Sequence, residues 1–262
     1  MVRLFIVKII LSYIKRPLFM QKYANSYWIY GIHAVSYALK NPKRRIHQLL
    51  YSPSTELSVL QLVDAAVERQ MVDKNAFTKI LGPDAVHQGV AVRVTPLPDM
   101  RFDDLSNDID ENQLVMILDQ VSDPHNVGAI LRTCAVFGVK ALILTDRHAS
   151  GESSVLAKTA CGALELVPIF RVSNLVQALE ILKKSGFWIV GLAEKGDKTL
   201  DQINWKGKMA VIMGAEGDGM RSLTQKHCDF LVRLHTSLNF TTLNVSNAAA
   251  IALYEGFRGQ KV

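Results

Sequence analysis

A chain of 262 residues, 49% apolar and 21% charged, has the ordinary composition of a soluble globular protein and enough length for one large or two modest domains. Its three cysteines, Cys134, Cys161 and Cys228, are far apart in an odd count without a Cys-x-x-Cys pair, which excludes a disulfide framework or zinc site and fits a reducing, cytoplasmic setting. The formal charge of +6 is unevenly spread: residues 1–55 hold nine of the 30 Lys and Arg, while all 24 Asp and Glu lie beyond them. A basic N-terminal third on a near-neutral body is the footprint of contact with nucleic acid or another anionic surface.

Residues 1–27 form a basic and apolar arm. Its apolar run, Leu4 to Ile14, is interrupted by Lys8 and too short to span a bilayer, and Lys15-Arg16-Pro17 follows where a secretory signal would show a small-residue cleavage site. No stable membrane association is expected, and Met20 marks an alternative start.

Residues 28–98 read as a compact α/β unit. A short helix is expected from Ile29 to Leu39, a strand over Ile46 to Tyr51, and a helix over Glu56 to Gln70 from the spacing of Leu57, Leu60, Val63 and Val67, with Ser54 or Thr55 as cap. Val90 to Val94 closes the unit as a strand, stopped by Pro96 and Pro98. Lys43, Arg44 and Arg45, just before a strand, are the first choice for RNA phosphate contacts. His33 and His87 stand alone and read as structural or solvated. Residues 99–112, with Asp99, Asp103, Asp104, Asp108, Asp110 and Glu111, read as an acidic linker between domains.

From 113 to 262 apolar runs alternate with helical patterns. Strands are expected at Leu114 to Leu118, Ala141 to Leu144, Val167 to Phe170, Phe187 to Leu192, Met209 to Met213 and Phe230 to Leu234. Helices are expected at Val127 to Phe137, Val155 to Ala160, Leu175 to Lys184 and Ala248 to Phe257. Alternation with short connections implies a parallel sheet covered on both faces, whose ligand sites lie beyond the carboxyl ends of its strands.

Three polar loops stand at such ends. The first runs from Asp119 into a helical segment containing Asn126, a plausible cap, Gly128 and Arg132. The second holds Gly214, Gly217 and Gly219 around the carboxylate Glu216, in an order that does not match a dinucleotide-binding fingerprint. The third, Thr241 to Asn247, brings Asn244 and Ser246 to the mouth of an Ala-rich helix. None of these loops by itself selects a chemistry.

Taken in order, Asn126-Val-Gly-Ala-Ile-Leu-Arg132-Thr, Ile212-Met-Gly-Ala-Glu216-Gly-Asp-Gly-Met and Leu243-Asn244-Val-Ser246-Asn-Ala-Ala-Ala-Ile resemble the three motifs of the SpoU/TrmH family of RNA 2′-O-ribose methyltransferases. Tyr30-Gly31-Ile32-His33-Ala34-Val35 and His87-Gln88-Gly89-Val90 are similar to the substrate-binding domain of its members that methylate a guanosine of bacterial large-subunit (23S) rRNA. The resemblance extends over residues 28–257. It implies a C-terminal trefoil-knotted, parallel-sheet α/β methyltransferase domain of the SPOUT class, preceded by a smaller, ribosomal-protein-like RNA-binding α/β domain.

The resemblance further implies S-adenosylmethionine as cofactor, held near Gly214, Leu234, Leu243, Asn244, Ser246, Leu192 and Ala193, and a homodimer in which the partner completes the site. The family motif makes Arg132 catalytic. A guanidinium is always protonated, so Arg132 is expected to clamp the target phosphate and steer the ribose hydroxyl, with Asn126 and Glu216 fixing its geometry. Where the family shows Pro-Met after Leu234, this chain has His235-Thr236, and Asn247 stands where an apolar residue is common. The alternatives are a tRNA methyltransferase or an RNA-binding pseudo-enzyme of the same fold.

Overall fold

The computed structural model describes residues 25–98, 100, 102, 105, 111–146, 151–237 and 242–261. The apolar run expected at 4–14 and most of the acidic segment lie outside them. Among the described residues no helix is long and apolar enough to cross a membrane.

The N-terminal unit is a four-stranded mixed sheet. Strands β1 (Tyr27–Tyr30), β2 (Ile46–Tyr51), β3 (Glu68–Met71) and β4 (Val90–Val94) lie in the order β1-β4-β2-β3, with β4 antiparallel to both neighbours and β2 parallel to β3. Helix α1 (Ile32–Lys40) buries Ala34, Val35 and Ala38 against it.

Two expectations change here. The segment Tyr27–Tyr30 is a strand and the helix begins only at Ile32, because Gly31 turns the chain with φ 90°. The helix expected over 56–70 is a single short turn, α2 (Leu57–Leu60), followed by loop and β3. Val59 and Val63 are buried while all four residues of β3 are exposed, so the apolar spacing reports a packed loop rather than one helical stripe. Helix α3 (Lys74–Leu81), capped by the Asp73 side chain, has no counterpart in the sequence reading.

The second unit is a seven-stranded, wholly parallel sheet. Its strands are β5 (Gln113–Asp119), β6 (Ala141–Thr145), β7 (Ile169–Val172), β8 (Phe187–Leu192), β9 (Lys198–Thr199), β10 (Lys208–Gly214) and β11 (Phe230–Arg233), in the order β7-β6-β5-β10-β8-β11-β9. Its helices are α4 (Pro124–Val136), α5 (Ser154–Ala160), α6 (Leu175–Lys184), α7 (Ser222–Lys226) and α8 (Val245–Lys261).

The reason the strands read as unbroken apolar runs is visible in β5. Leu114, Met116 and Leu118 enter the core beneath α4, α5 and α8, whereas Val115 and Ile117 enter the core beneath α6. Met100, Phe102 and Leu105 pack on that second core, Phe102 edge-on to Phe170 at 6.2 Å, so these apolar members of the acidic segment are tied to the sheet. The first core runs without a break into Ile29, Val35, Leu49 and Val92 of the N-terminal sheet.

Candidate active site

The register aligns the carboxyl ends of four adjacent strands. Gly214 pairs with Asp119 across β10 and β5, Ile212 with Gly191 across β10 and β8, and Leu231 with that same Gly191 across β11 and β8. Gly214, the Leu192-Ala193 pair and Leu234 therefore stand at neighbouring strand ends. The N–H of Ala193 donates to the carbonyl of Val232 at 2.9 Å, and Arg233 Nη1 donates to the carbonyl of Gly196 at 2.6 Å, which folds the loop after β8 against β11.

The loop after β10 closes on itself. Ala215 and Gly219 exchange both backbone hydrogen bonds, at 3.1 and 2.9 Å. A Cβ on Gly214 would stand 2.1 Å from the backbone of Gly219 and Met220, so only glycine permits this closure. The closed loop is then anchored: Asp119, fully buried, accepts the backbone N–H of Arg221 at 3.0 Å and its Nε at 2.7 Å. Asp119 was present in the sequence as a strand-end acid, but nothing local to it marks Arg221 as its partner.

The first and third loops meet directly. Asn244 Nδ2 donates to Asn126 Oδ1 at 3.0 Å, although 118 positions separate them. Asn244 Oδ1 also accepts the backbone N–H of Ser246 at 2.9 Å and its hydroxyl at 2.6 Å, starting α8. Asn126 is thus inside α4 rather than its cap. The cap is Asp123, whose side chain accepts the N–H of His125, with Pro124 in the first turn.

Arg132 and Glu216 are exposed, and within one chain neither touches the Asn126–Asn244 pair or the other through any described hydrogen bond or ion pair. Helical geometry accounts for this. Six residues of α4 separate Arg132 from Asn126 by about 9 Å of rise and turn it about 120° around the axis. Arg132 instead shares its face with Val136, which is 68% exposed. The expectation that Asn126 and Glu216 hold Arg132 is not met within a single chain.

Leu192, Ala193 and Leu234 are half-buried and Leu243 is 44% exposed. These apolar side chains, with the backbone of the loops at 214–219 and 234–237, would suit the adenine of S-adenosylmethionine and the carbon chain beside its sulfonium. His235, in place of the family proline, faces Asp201 at 3.2 Å, both exposed. Hydrogen bonding from Thr199 and from its own backbone, with His235 adding to them, holds the Asp201 carboxyl below its usual range. This contact spans the loop after β11 and the turn at Leu200–Gln202.

The basic triplet divides. Lys43 and Arg45 are exposed, as a phosphate contact requires, but Arg44 is buried and its side chain has no solvent exposure. It is committed to Glu152 and Glu165 of the second unit at 2.7 and 2.8 Å, so the expectation that Arg44 contacts RNA is corrected.

Two comparisons decide the family. The model of the SpoU rRNA methylase family matches residues 113–254, and that of the RNA 2′-O ribose methyltransferase substrate-binding domain matches residues 28–100. The chain belongs to the SpoU rRNA methylase family. It is 36% identical over 240 residues to the 23S rRNA (guanosine-2′-O-)-methyltransferase RlmB of Pseudomonas putida, covering 89% of this chain and 97% of the relative. It is 38% identical over 236 residues to the RlmB of Escherichia coli strain K12, covering 88% and 97%.

Among solved structures, the SpoU methyltransferase AviRb of Streptomyces viridochromogenes in complex with AdoMet superposes with a TM-score of 0.76 at 22% identity, over 93% of each chain. The AdoMet-bound rRNA methyltransferase of Sinorhizobium meliloti gives 0.77 at 24% identity, over 89% of this chain and 87% of that one. Both structures share the fold of this chain.

Proposed function

We propose that the protein transfers a methyl group from S-adenosylmethionine to the ribose 2′-hydroxyl of a guanosine in 23S rRNA, acting as a cytoplasmic homodimer. The observation that carries this reading is the Asn126–Asn244 hydrogen bond, which joins the first and third motif segments across 118 positions. Relatives at 36 to 38% identity named for this reaction support the substrate class.

When bound, the cofactor supplies an electrophilic methyl group on a sulfonium. The chain's own residues have three tasks. Leu192, Leu234 and Leu243 exclude water around the cofactor's apolar parts, and the Gly214 loop brings backbone close to it. Asn126 and Asn244 fix the two motif loops relative to each other and so fix where acceptor and donor meet. Arg132, free of any described intrachain partner, clamps the phosphate beside the target ribose and stabilises the developing alkoxide.

The homodimer reading rests on the face that carries Arg132. Val136 on α4 and Ile251 and Tyr254 on α8 are exposed, at 68, 43 and 51%, on two helices that pack together through Phe137, Tyr254 and Phe257. A second copy laid on this face would cover the apolar side chains and place each Arg132 beside the partner's motif loops. On the other unit Lys43 and Arg45 grip the RNA backbone.

The test is transfer of labelled methyl to unmodified 23S rRNA and to unmodified tRNA, each digested to nucleosides. A 2′-O-methylguanosine peak from rRNA alone is expected. Transfer to tRNA alone would replace the substrate assignment, and cofactor binding without transfer to either would favour an RNA-binding pseudo-enzyme.

A further inference from the structure

The seam between the two units is closed by a buried charge cluster that the chemistry above does not use. Arg44 stands at its centre. Its Nε and Nη2 lie on Glu165 at 3.0 and 2.8 Å, and its Nη1 donates to Glu152 Oε2 at 2.7 Å and to the carbonyl of Thr95 at 2.9 Å. The carboxylates receive further donors from the N-terminal unit: Asn41 Nδ2 to Glu165 at 2.6 Å, the Tyr27 hydroxyl to Glu152 at 2.7 Å and the Leu97 N–H to Glu152 at 3.1 Å. The donors come from the N-terminal unit and the two carboxylates from the methyltransferase unit.

Burial alone would lower the affinity of Arg44 for its proton, but the carboxylates of Glu165 and Glu152 outweigh it and hold the guanidinium charged. Such a cluster is a poor source of net stability, since desolvating three ions offsets much of their attraction. Its forked, bidentate geometry is instead strongly selective for one relative orientation of the groups it joins. Each end is also tied to function. Lys43 and Arg45, the exposed cations, flank Arg44 in the chain. Glu165 ends the short helix Ala163–Glu165, which packs on α4, the helix carrying Arg132.

We infer that Arg44, with Glu152 and Glu165, is a positioning device that sets the RNA-gripping residues of the N-terminal unit at a fixed distance and angle from Arg132, so that RNA held by one unit is presented in register to the other. This rests on the methyltransferase reading above. Removing the guanidinium leaves two buried carboxylates facing each other without a cation, and the seam opens. Misplacement of a reactant by about 1 Å costs on the order of a hundredfold in rate, whereas RNA affinity, set by exposed cations, is retained.

The test uses the full chain with Arg44→Met, Arg44→Lys and the milder Glu165→Gln. Solution scattering reports whether the units stay in one arrangement, titration reports S-adenosylmethionine binding, and single-turnover methylation of unmodified 23S rRNA, normalised to cofactor-binding sites, reports positioning. For Arg44→Met a broadened scattering profile is expected, with unchanged cofactor affinity, RNA affinity within about threefold, and a rate at saturating RNA lower by on the order of tenfold or more. Arg44→Lys should recover part of that rate.

Should Arg44→Met prove insoluble, Glu165→Gln decides alone, with a smaller loss of the same pattern expected. A rate within twofold of the parent at saturating RNA, or an unchanged scattering profile, would overturn the inference. If the parent protein methylates no RNA, the methyltransferase reading fails instead, and scattering still tests the lock.

Discussion

The carboxylate of Asp119, at the end of β5, holds Arg221 by both its backbone N–H and its Nε, at 3.0 and 2.7 Å, across 102 positions of sequence. This pair fixes the exit of the glycine loop that begins at Gly214. Asp119→Ala leaves a buried vacancy and an untethered loop, but Arg221 is 45% exposed at its side chain and can turn to water. A loss of about 1–3 kcal/mol is expected in chemical denaturation, together with weakened S-adenosylmethionine binding in calorimetry. Asp119→Asn, which keeps one acceptor, should lie between the two proteins.

Arg132→Ala separates stability from activity. The side chain is exposed and makes no described intrachain bond, so unfolding free energy should move by less than about 0.5 kcal/mol. Methyl transfer should fall on the order of a hundredfold or more, the scale on which positioned charge stabilises a transition state. Arg132→Lys should keep part of the RNA affinity and little of the turnover, because an ammonium cannot make the forked contact. Near-normal turnover in the lysine variant would refute the clamp.

Lys43→Ala and Arg45→Ala should act on RNA binding through phosphate contacts. Each should weaken binding to many RNA sequences alike and reduce the slope of log affinity against log salt by roughly 0.7 to 1. Filter binding at several ionic strengths measures this. An unchanged slope in the double variant would remove this edge from the RNA interface.

His87 provides a pH dependence. Burial, then Lys74 and Lys158, lower its pKa below the ordinary 6.5. Its ring stacks on Phe77 at 4.1 Å, and Nδ1 accepts the N–H of Gly89 at 3.1 Å, which requires the neutral form. With the folded pKa depressed, the unfolded chain binds the proton first, so the stabilisation is full above about pH 6.5 and is lost as pH falls through the folded value. The thermal midpoint of the parent should therefore drop between pH 7 and pH 5 more than that of His87→Phe. Parallel profiles would show that His87 does not titrate in this way.

What could be read from the chain follows from how locally each feature is encoded. The strands of the parallel sheet were legible because strands buried on both faces must be apolar throughout, as in Val115 to Leu118 and Met209 to Met213. The three motif loops were legible because their residue types sit at fixed places beside those strands. The edge strand Glu68–Met71 was not, since its four residues face solvent and carry no apolar alternation. Helix α3 was missed although its cap, Asp73, was in plain view, because an apolar stripe with Phe77 as its one buried member is too thin to stand out.

The sequence by itself determined most strands of the parallel sheet, the motif residues and the basic N-terminal edge. Only the tertiary structure decided the strand order, the meeting of Asn126 with Asn244 and of Asp119 with Arg221, the turning of Arg132 away from its expected companions, and the fate of Arg44. Lys43, Arg44 and Arg45 are nearly indistinguishable as residue types. Arg44 is withdrawn from RNA because Glu152 and Glu165, more than 100 positions away, are folded against it. A charge's role depends on which opposite charge is brought within a few ångströms, and that distance is set by packing between units rather than by neighbours in the chain.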